Sequence, residues 1–214
     1  MKIYNQDCLE AMKDMSNNQF DLAIVDPPYG IDIAKWDAID MKPSDEYFIE
    51  LFRVSKNQII WGANYFNLPH NQGWLCWDKT FSVAVRQKNI STASLKIENI
   101  SQFELAWVSC LKKATFIRYT NIGNLQGFND KLKVDYNKQK KIHITEKPIQ
   151  LYEWLLYNYA KEGDTILDTH LGSGSIAIAC HNLGYDLTGY EINKDYYEAA
   201  IKRIEQHKSQ IRMF

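Results

Sequence analysis

Short apolar runs bounded by turn residues recur along this chain. Phe20 to Val25 stops at Asp26-Pro27-Pro28, and Gln58 to Trp61 runs into Gly62-Ala63-Asn64. Thr165 to Leu167 lies between Glu162-Gly163-Asp164 and Asp168, and Asp186 to Tyr190 lies between Leu183-Gly184 and Glu191. Such runs predict strands covered on both faces, as in a parallel sheet. Between them the apolar period changes to three and four. Ser44 to Lys56 carries Tyr47, Phe48, Leu51 and Phe52 on one side, and Ile149 to Tyr159 carries Leu151, Leu155, Leu156 and Tyr159 behind Pro148. Both predict helices, as do Ile176 to Asn182 and Tyr196 to His207. The stretch 119–141 is polar, with Asn and Gly throughout, and reads as an exposed loop.

Strand, loop, helix, strand, loop, helix in 164–208 is an α/β unit. Its glycine loop, at Gly172, comes late, whereas a Rossmann-like sheet normally begins with that loop. The expected fold is therefore α/β and Rossmann-like but circularly permuted, a mostly parallel twisted sheet flanked by helices. Lys2 to Asn5 is then the next parallel strand. This order brings Asp168, Glu191, Asp7 and Asp26 to the ends of four neighbouring strands, facing one crevice.

The length, 214 residues, suits one domain over 1–214 and not two catalytic domains. No apolar run approaches the roughly 20 residues that cross a bilayer, and Met1 to Asp7 meets an acid at once, so a cytoplasmic, non-membrane protein is expected. Cys8, Cys76, Cys110 and Cys180 are too dispersed for a zinc knuckle or a redox pair, and no metal site is expected. The net charge of -1 hides a division. Residues 1–78 hold 6 basic and 12 acidic side chains, 79–141 hold 12 and 4, and 142–214 hold 7 and 10. The positive excess is therefore local, as a polyanion-facing surface requires.

Two motifs carry chemistry. Residues 168–177 read Asp-Thr-His-Leu-Gly-Ser-Gly-Ser-Ile-Ala, and Gly172, Gly174 and Ala177 fit G-x-G-x-x-A, with Glu191 placed to bind a ribose diol. The loop has no lysine, so it is not a Walker phosphate cradle. Asp168 repels a pyrophosphate but suits the amino group of an aminoacyl-nucleoside. In Asp26-Pro27-Pro28-Tyr29 the carboxylate and the Pro27 carbonyl can accept the two hydrogens of an exocyclic amine. Pro27 and Pro28 stiffen the turn, and Tyr29 offers a ring for a base to stack on.

On these motifs the chain resembles the S-adenosylmethionine-dependent DNA amino-methyltransferases, adenine type, in the permuted order with the catalytic tetrapeptide before the glycine loop. Asn5-Gln6-Asp7-Cys8, Gly62-Ala63-Asn64-Tyr65-Phe66, Trp77-Asp78-Lys79, His143-Ile144-Thr145-Glu146-Lys147-Pro148 and Gly189-Tyr190-Glu191 extend the resemblance over most of the chain. The chain departs from that family's usual Asp-Pro-Phe at Asp168-Thr169-His170.

The resemblance implies a Rossmann-like methyltransferase fold and S-adenosylmethionine as cofactor. Asp26, Pro27, Pro28 and Tyr29 would be catalytic. Asp7 and Cys8 would lie near the cofactor adenine, Glu191 at its ribose, and Asp168, His170, Gly172, Gly174 and Thr145 around it. Lys147 would pair with its carboxylate. The target would be duplex DNA with the base flipped, recognised from within 80–141, where Lys79, Arg86, Lys88, Arg118, Lys138, Lys140 and Lys141 are the candidate DNA contacts. Ser101 to Ser109 reads as a return strand of the catalytic sheet. A homodimer and a separate restriction endonuclease of a restriction-modification system are the implied partners. Amino-methylation of cytosine or of RNA, or a catalytically weak DNA-binding subunit, are the alternative readings.

Overall fold

The structure, a computed structural model, describes residues 1–32, 37–79, 101, 103–122, 125–128, 133–134 and 146–210. Its centre is a ten-stranded sheet. In chain order the strands are β1 (Lys2–Tyr4), β2 (Phe20–Val25), β3 (Ser55–Trp61), β4 (Trp74–Asp78), β5 (Phe103–Val108), β6 (Ala114–Ile122), β7 (Leu125–Phe128), β8 (Lys133–Val134), β9 (Thr165–Asp168) and β10 (Asp186–Tyr190). The helices are α1 (Cys8–Lys13), α2 (Asp45–Val54), α3 (Ile149–Tyr159), α4 (Ser175–Leu183) and α5 (Lys194–Lys208).

Across the sheet the order is β1-β10-β9-β2-β3-β5-β4-β6-β7-β8. β1, β10, β9, β2 and β3 are all parallel. β5 is antiparallel to both its neighbours, β3 and β4, while β4 and β6 are parallel. The expected permutation holds: β1 lies beside β10, with Ile3 opposite Gly189.

Side chains on β2 alternate between two cores, because successive residues of a strand face opposite sides of the sheet. Leu22 and Ile24 join Ile59, Trp61, Leu151, Leu155, Ile178 and Ile204 under α3, α4 and α5. Ala23 and Val25 join Met12, Phe48, Leu51 and Ile60 under α1 and α2. Each fully buried Leu or Ile contributes about 1.5–3 kcal/mol, so both faces of the sheet are anchored where the crevice opens.

Two expectations shift. The predicted helix from Ser44 to Lys56 runs only over α2, because Ser44 is its N-cap, accepting from Tyr47 N at 3.4 Å, and the chain is already extended in β3 at Ser55. The exposed loop expected over 119–141 instead contains the end of β6 and the strands β7 and β8, which pair antiparallel. The return strand expected over Ser101 to Ser109 is present as β5, which pairs between β3 and β4 in the body of the sheet. Among the described residues no helix is long and apolar enough to cross a membrane.

Candidate active site

The parallel strands β1, β10, β9 and β2 end at one edge of the sheet, and a turn follows each. Asp7, Glu191, Asp168 and Asp26 lie at these ends. The expected row of acids is therefore assembled, by topology rather than by proximity in sequence.

Asp26 follows β2 directly. Its Oδ1 accepts from the Tyr29 hydroxyl at 2.7 Å, and its Oδ2 is in contact with the Lys147 ammonium. The Tyr29 ring stacks on Tyr65 with centroids 5.0 Å apart and 13° between planes, and meets Phe66 edge-on at 6.2 Å. Gly62 makes this platform possible. It has φ +68, and a Cβ there would lie 2.1 Å from Tyr29 Cε1. Burial, then the charge of Asp26, holds the Tyr29 hydroxyl well above its ordinary value, so it stays a donor.

The loop after Tyr29 is fixed by a residue that sequence reasoning missed. Asp37 is buried, and its carboxylate accepts from Tyr29 N at 2.5 Å, Gly30 N at 3.0 Å and Ile31 N at 3.2 Å. No sequence signal marks Asp37, because its role depends on the loop folding back over 29–31.

The glycine loop is drawn in by Glu191. Its Oε2 accepts from Gly172 N at 2.9 Å and its Oε1 from Asn193 N at 2.8 Å. Gly172 has φ +52, and a Cβ there would meet only His170 O, at 3.9 Å, so open space lies over the turn. Gly174 has φ +76 and packs close to Ile204 of α5. Arg203 braces the loop from α5, donating to Ser173 O at 2.9 Å and pairing with Glu146 Oε1 at 2.8 Å. This second missed residue joins the glycine loop to the segment ahead of Pro148.

Asp168 is 2% exposed and accepts from His170 N at 3.0 Å. Burial first, then the charges of Asp26 and Glu191, pushes its carboxyl up to about 8. Burial pushes the His170 imidazole down to about 4. His170 Nδ1 lies 2.9 Å from Thr169 Oγ1, which lies 2.7 Å from the Tyr47 hydroxyl. The imidazole thus packs as a neutral ring against Tyr47, with centroids 5.5 Å apart. Asp7 caps α1, its Oδ1 accepting from Leu9 N at 2.7 Å and Glu10 N at 3.3 Å. Burial, then Asp7, pushes the neighbouring Cys8 thiol up to about 12, which removes it as a nucleophile.

Two expected placements change. Lys147 is 3% exposed and sits between Asp26 and Glu104, with Nζ 3.1 Å from Glu104 Oε2 and 5.2 Å from the Trp61 ring centroid. It is therefore a partner of the site acid. Lys79, expected at DNA, is 12% exposed and held by Glu104 Oε1 at 2.7 Å, because β4 ends beside the start of β5. Glu104 was missed, although a lone acid in the apolar run 103–108 was a visible signal. Arg118 on β6 pairs with Asp78 at 2.7 Å, lies over the Phe116 ring and keeps 41% of its side chain exposed. Thr145, Arg86, Lys88, Lys138, Lys140 and Lys141 lie outside the described residues.

The groups at the crevice fit a nucleoside bearing an amino acid. The acids Asp7, Asp168 and Glu191 suit amines and hydroxyls, the open turn at Gly172 leaves room, and the loop offers no ammonium to a phosphate. Five parallel strands, one antiparallel strand between β3 and β4, and a row of acids at the carboxyl edge define an α/β fold of the nucleoside-dependent methyltransferase class. A family model described as DNA methylase, of the N6 and N4 type, matches residues 60–202. The chain belongs to this family of DNA methylases and is an S-adenosylmethionine-dependent DNA methyltransferase. It is 26% identical over 230 residues to the Type II methyltransferase M.HpaI of Haemophilus parainfluenzae, covering 92% of this chain and 72% of that one. It is 25% identical to the Type II methyltransferase M1.MboII of Moraxella bovis, covering 93% and 94%. The crystal structure of the M1.HpyAVI–SAM complex has the same fold, with a TM-score of 0.58 at 22% identity, over 94% of this chain and 98% of that one.

Proposed function

We propose that this protein methylates the exocyclic amine of adenine within a specific duplex DNA sequence, with the target base turned out of the helix onto the Tyr29 ring. The observation that supports it most is the arrangement at Asp26: a carboxylate at a strand end, oriented by the Tyr29 hydroxyl, beside an aromatic platform and next to a nucleoside crevice. An adenine amine is a weak nucleophile because its lone pair is delocalised into the ring. Asp26 and the Pro27 carbonyl hold its hydrogens and offset the positive charge that grows on nitrogen. A bound S-adenosylmethionine would supply a sulfonium methyl, whose S–C bond would break as the N–C bond forms, leaving the electron pair on sulfur. The nitrogen then gives a proton to water. Tyr29, stacked on Tyr65, sets the plane in which the base is presented, and unstacking the base from its duplex costs a few kcal/mol. Glu191 takes the ribose hydroxyls, Asp7 the cofactor adenine, and Asp168 the amino end.

The basic excess of 79–141 supports that region as the DNA-facing side, with Lys112, Lys113 and Arg118 exposed cations among its described residues. A homodimer, with one subunit per target strand, and a separate restriction endonuclease complete this reading. Light scattering that finds a monomer both free and on DNA would remove the dimer.

Nucleosides digested from DNA of a methylation-free host expressing the chain, resolved by mass spectrometry, test the base. N6-methyladenine is expected, at one sequence context by long-read mapping. N4-methylcytosine alone would overturn the assignment of adenine. Asp26→Ala is expected to lower turnover about 100-fold or more while cofactor affinity stays within a few-fold.

A further inference from the structure

Behind Asp26 runs a row of alternating charges: Asp26, Lys147, Glu104, Lys79. They come from the end of β2, the turn before α3, the start of β5 and the residue after β4. Because β5 runs against its neighbours, its first residues lie at the same sheet edge as the last residues of β3 and β4. That reversal is what carries Glu104 into the crevice.

Both inner members are charged despite burial. Burial works to raise the Glu104 carboxyl, but the ammonium groups of Lys147 and Lys79 hold it below its ordinary value. Burial works to lower Lys147, but Asp26 and Glu104 hold it above. Glu104 Oε1 accepts from Lys79, whereas Oε2 is buried and has no hydrogen bond among the described residues. Its 3.1 Å approach to the Lys147 ammonium is an ion pair. Removing one member of a buried ion pair leaves the other charge uncompensated, so the acid at this position is tied to Lys147 and Lys79 and not to the apolar packing of β5.

We propose that Glu104 is a positioning residue for methyl transfer, sharing the Lys147 ammonium with Asp26 so that the Asp26 carboxylate remains an effective partner for the target amine. This rests on the reading of Asp26 given above. Asp26 Oδ1 is taken by the Tyr29 hydroxyl, so Oδ2, beside Lys147, is where a further donor must compete. An ammonium resting on Asp26 alone would cancel the negative charge that the reacting nitrogen needs. With Glu104 on its far side the ammonium is divided between two carboxylates, and the row of four sums to zero. Without Glu104 the row is positive by one, beside a nitrogen that is itself becoming positive. In a site shielded from water this difference reaches the reaction. The other ionisable groups facing the row do not replace Glu104. Tyr29 and Tyr152 are held far above their ordinary values by burial and the nearby carboxylates, and stay neutral. Asp168, from β9, is pushed up to about 8 and makes no ion pair with Lys147 among the described residues.

Glu104→Gln keeps the shape and removes the charge. Single-turnover methylation should slow by roughly 10-fold, less than the roughly 100-fold expected for direct loss of Asp26. The KM for DNA and the affinity for S-adenosylmethionine should stay within about two-fold, since Glu104 touches neither in this scheme. Because Glu104 acts through Lys147, adding Glu104→Gln to Lys147→Met should slow the reaction no further than Lys147→Met alone. Losses that multiply, or a Glu104→Gln enzyme at full rate, would overturn the proposal. Glu104→Asp keeps the charge one methylene further back and should give an intermediate rate. An unaltered rate there, beside a glutamine variant that does not fold, would reduce Glu104 to a structural anchor. Asp26→Asn separates the two readings. Full activity in that variant overturns the role of Asp26 itself, whereas an inactive Asp26→Asn beside a fully active Glu104→Gln overturns only the role of Glu104.

Discussion

Gly62→Ala tests the Tyr29 platform most directly. Gly62 has φ +68, a region that costs an L-residue about 1–2 kcal/mol. The added Cβ would lie 2.1 Å from Tyr29 Cε1, 2.5 Å from Cδ1 and 2.6 Å from Cζ, where ordinary contact begins at 3.4 Å. The ring must therefore retreat by about 1 Å, and it has no free direction. Its hydroxyl is bound to Asp26, its backbone N–H to Asp37, and its face to Tyr65. Giving up the stack costs about 0.5–1.5 kcal/mol, and weakening a hydrogen bond to a carboxylate about 1.5–3 kcal/mol. Only part of each is lost, so the variant should be less stable by about 2–4 kcal/mol. Displacement of this size at a reacting centre is worth about 100-fold in rate. Gly163→Ala is the control. Gly163 has φ +85 but nothing within 4 Å of its added Cβ, so it should show only the backbone cost and full activity. Urea denaturation of both variants, with single-turnover transfer of labelled methyl to DNA, measures the two effects. Equal stability loss in the two variants, with Gly62→Ala fully active, would refute the steric argument.

Asp37→Ala removes the acceptor of three backbone N–H groups, and should cost about 2–4 kcal/mol while raising hydrogen exchange at Tyr29, Gly30 and Ile31; unchanged exchange would contradict it. Asp168 is raised from 3.8 to about 8 in the folded protein, so the stability it contributes is complete below about pH 4 and is lost as pH rises toward 8. Asp168→Asn should flatten that decline in a series of thermal melts, and an identical slope would show that Asp168 is not its source. Charge reversal at Lys138, Lys140 and Lys141 should weaken DNA binding and shallow the log–log salt dependence by about one unit for each phosphate no longer neutralised. Reversal at the acidic Glu46 should not weaken it, and a filter-binding salt series compares them.

The sequence announced those parts of the site that depend on one local pattern. Asp26, Asp168 and Glu191 each end a short apolar run, and the strand containing Ile3 could be seen because the late glycine loop implied a permuted sheet. Asp7 followed from that order. What escaped depends on interactions between distant segments. Lys147 and Asp26 stand 121 residues apart, and the sequence motif around Lys147 pointed to the cofactor because nothing local reveals that β5 brings Glu104 to its other side. Lys79 looked like a free cation within a basic run until the β4–β5 pairing placed an acid beside it. β7 and β8 were hidden because strands of four and two residues are too short to show a period, and their pairing supplies what their own propensity does not.

The β4–β5 register sets Asp78 opposite Phe103 and Trp77 opposite Glu104, and Lys79, one residue past β4, reaches back to Glu104. The two strand ends that flank 80–102 are thus neighbours in a fixed frame and form the two roots of that span. Joining two fixed ends costs only about 0.6 kcal/mol more for each doubling of the joining length. The span can therefore be lengthened, shortened or exchanged for one of different composition at small energetic cost, while its two roots keep their separation. The frame that holds the reacting groups and the content of the span can change independently of each other. A graft that swaps 80–102 between relatives should cut at these two roots, leaving Lys79 and Glu104 with the recipient.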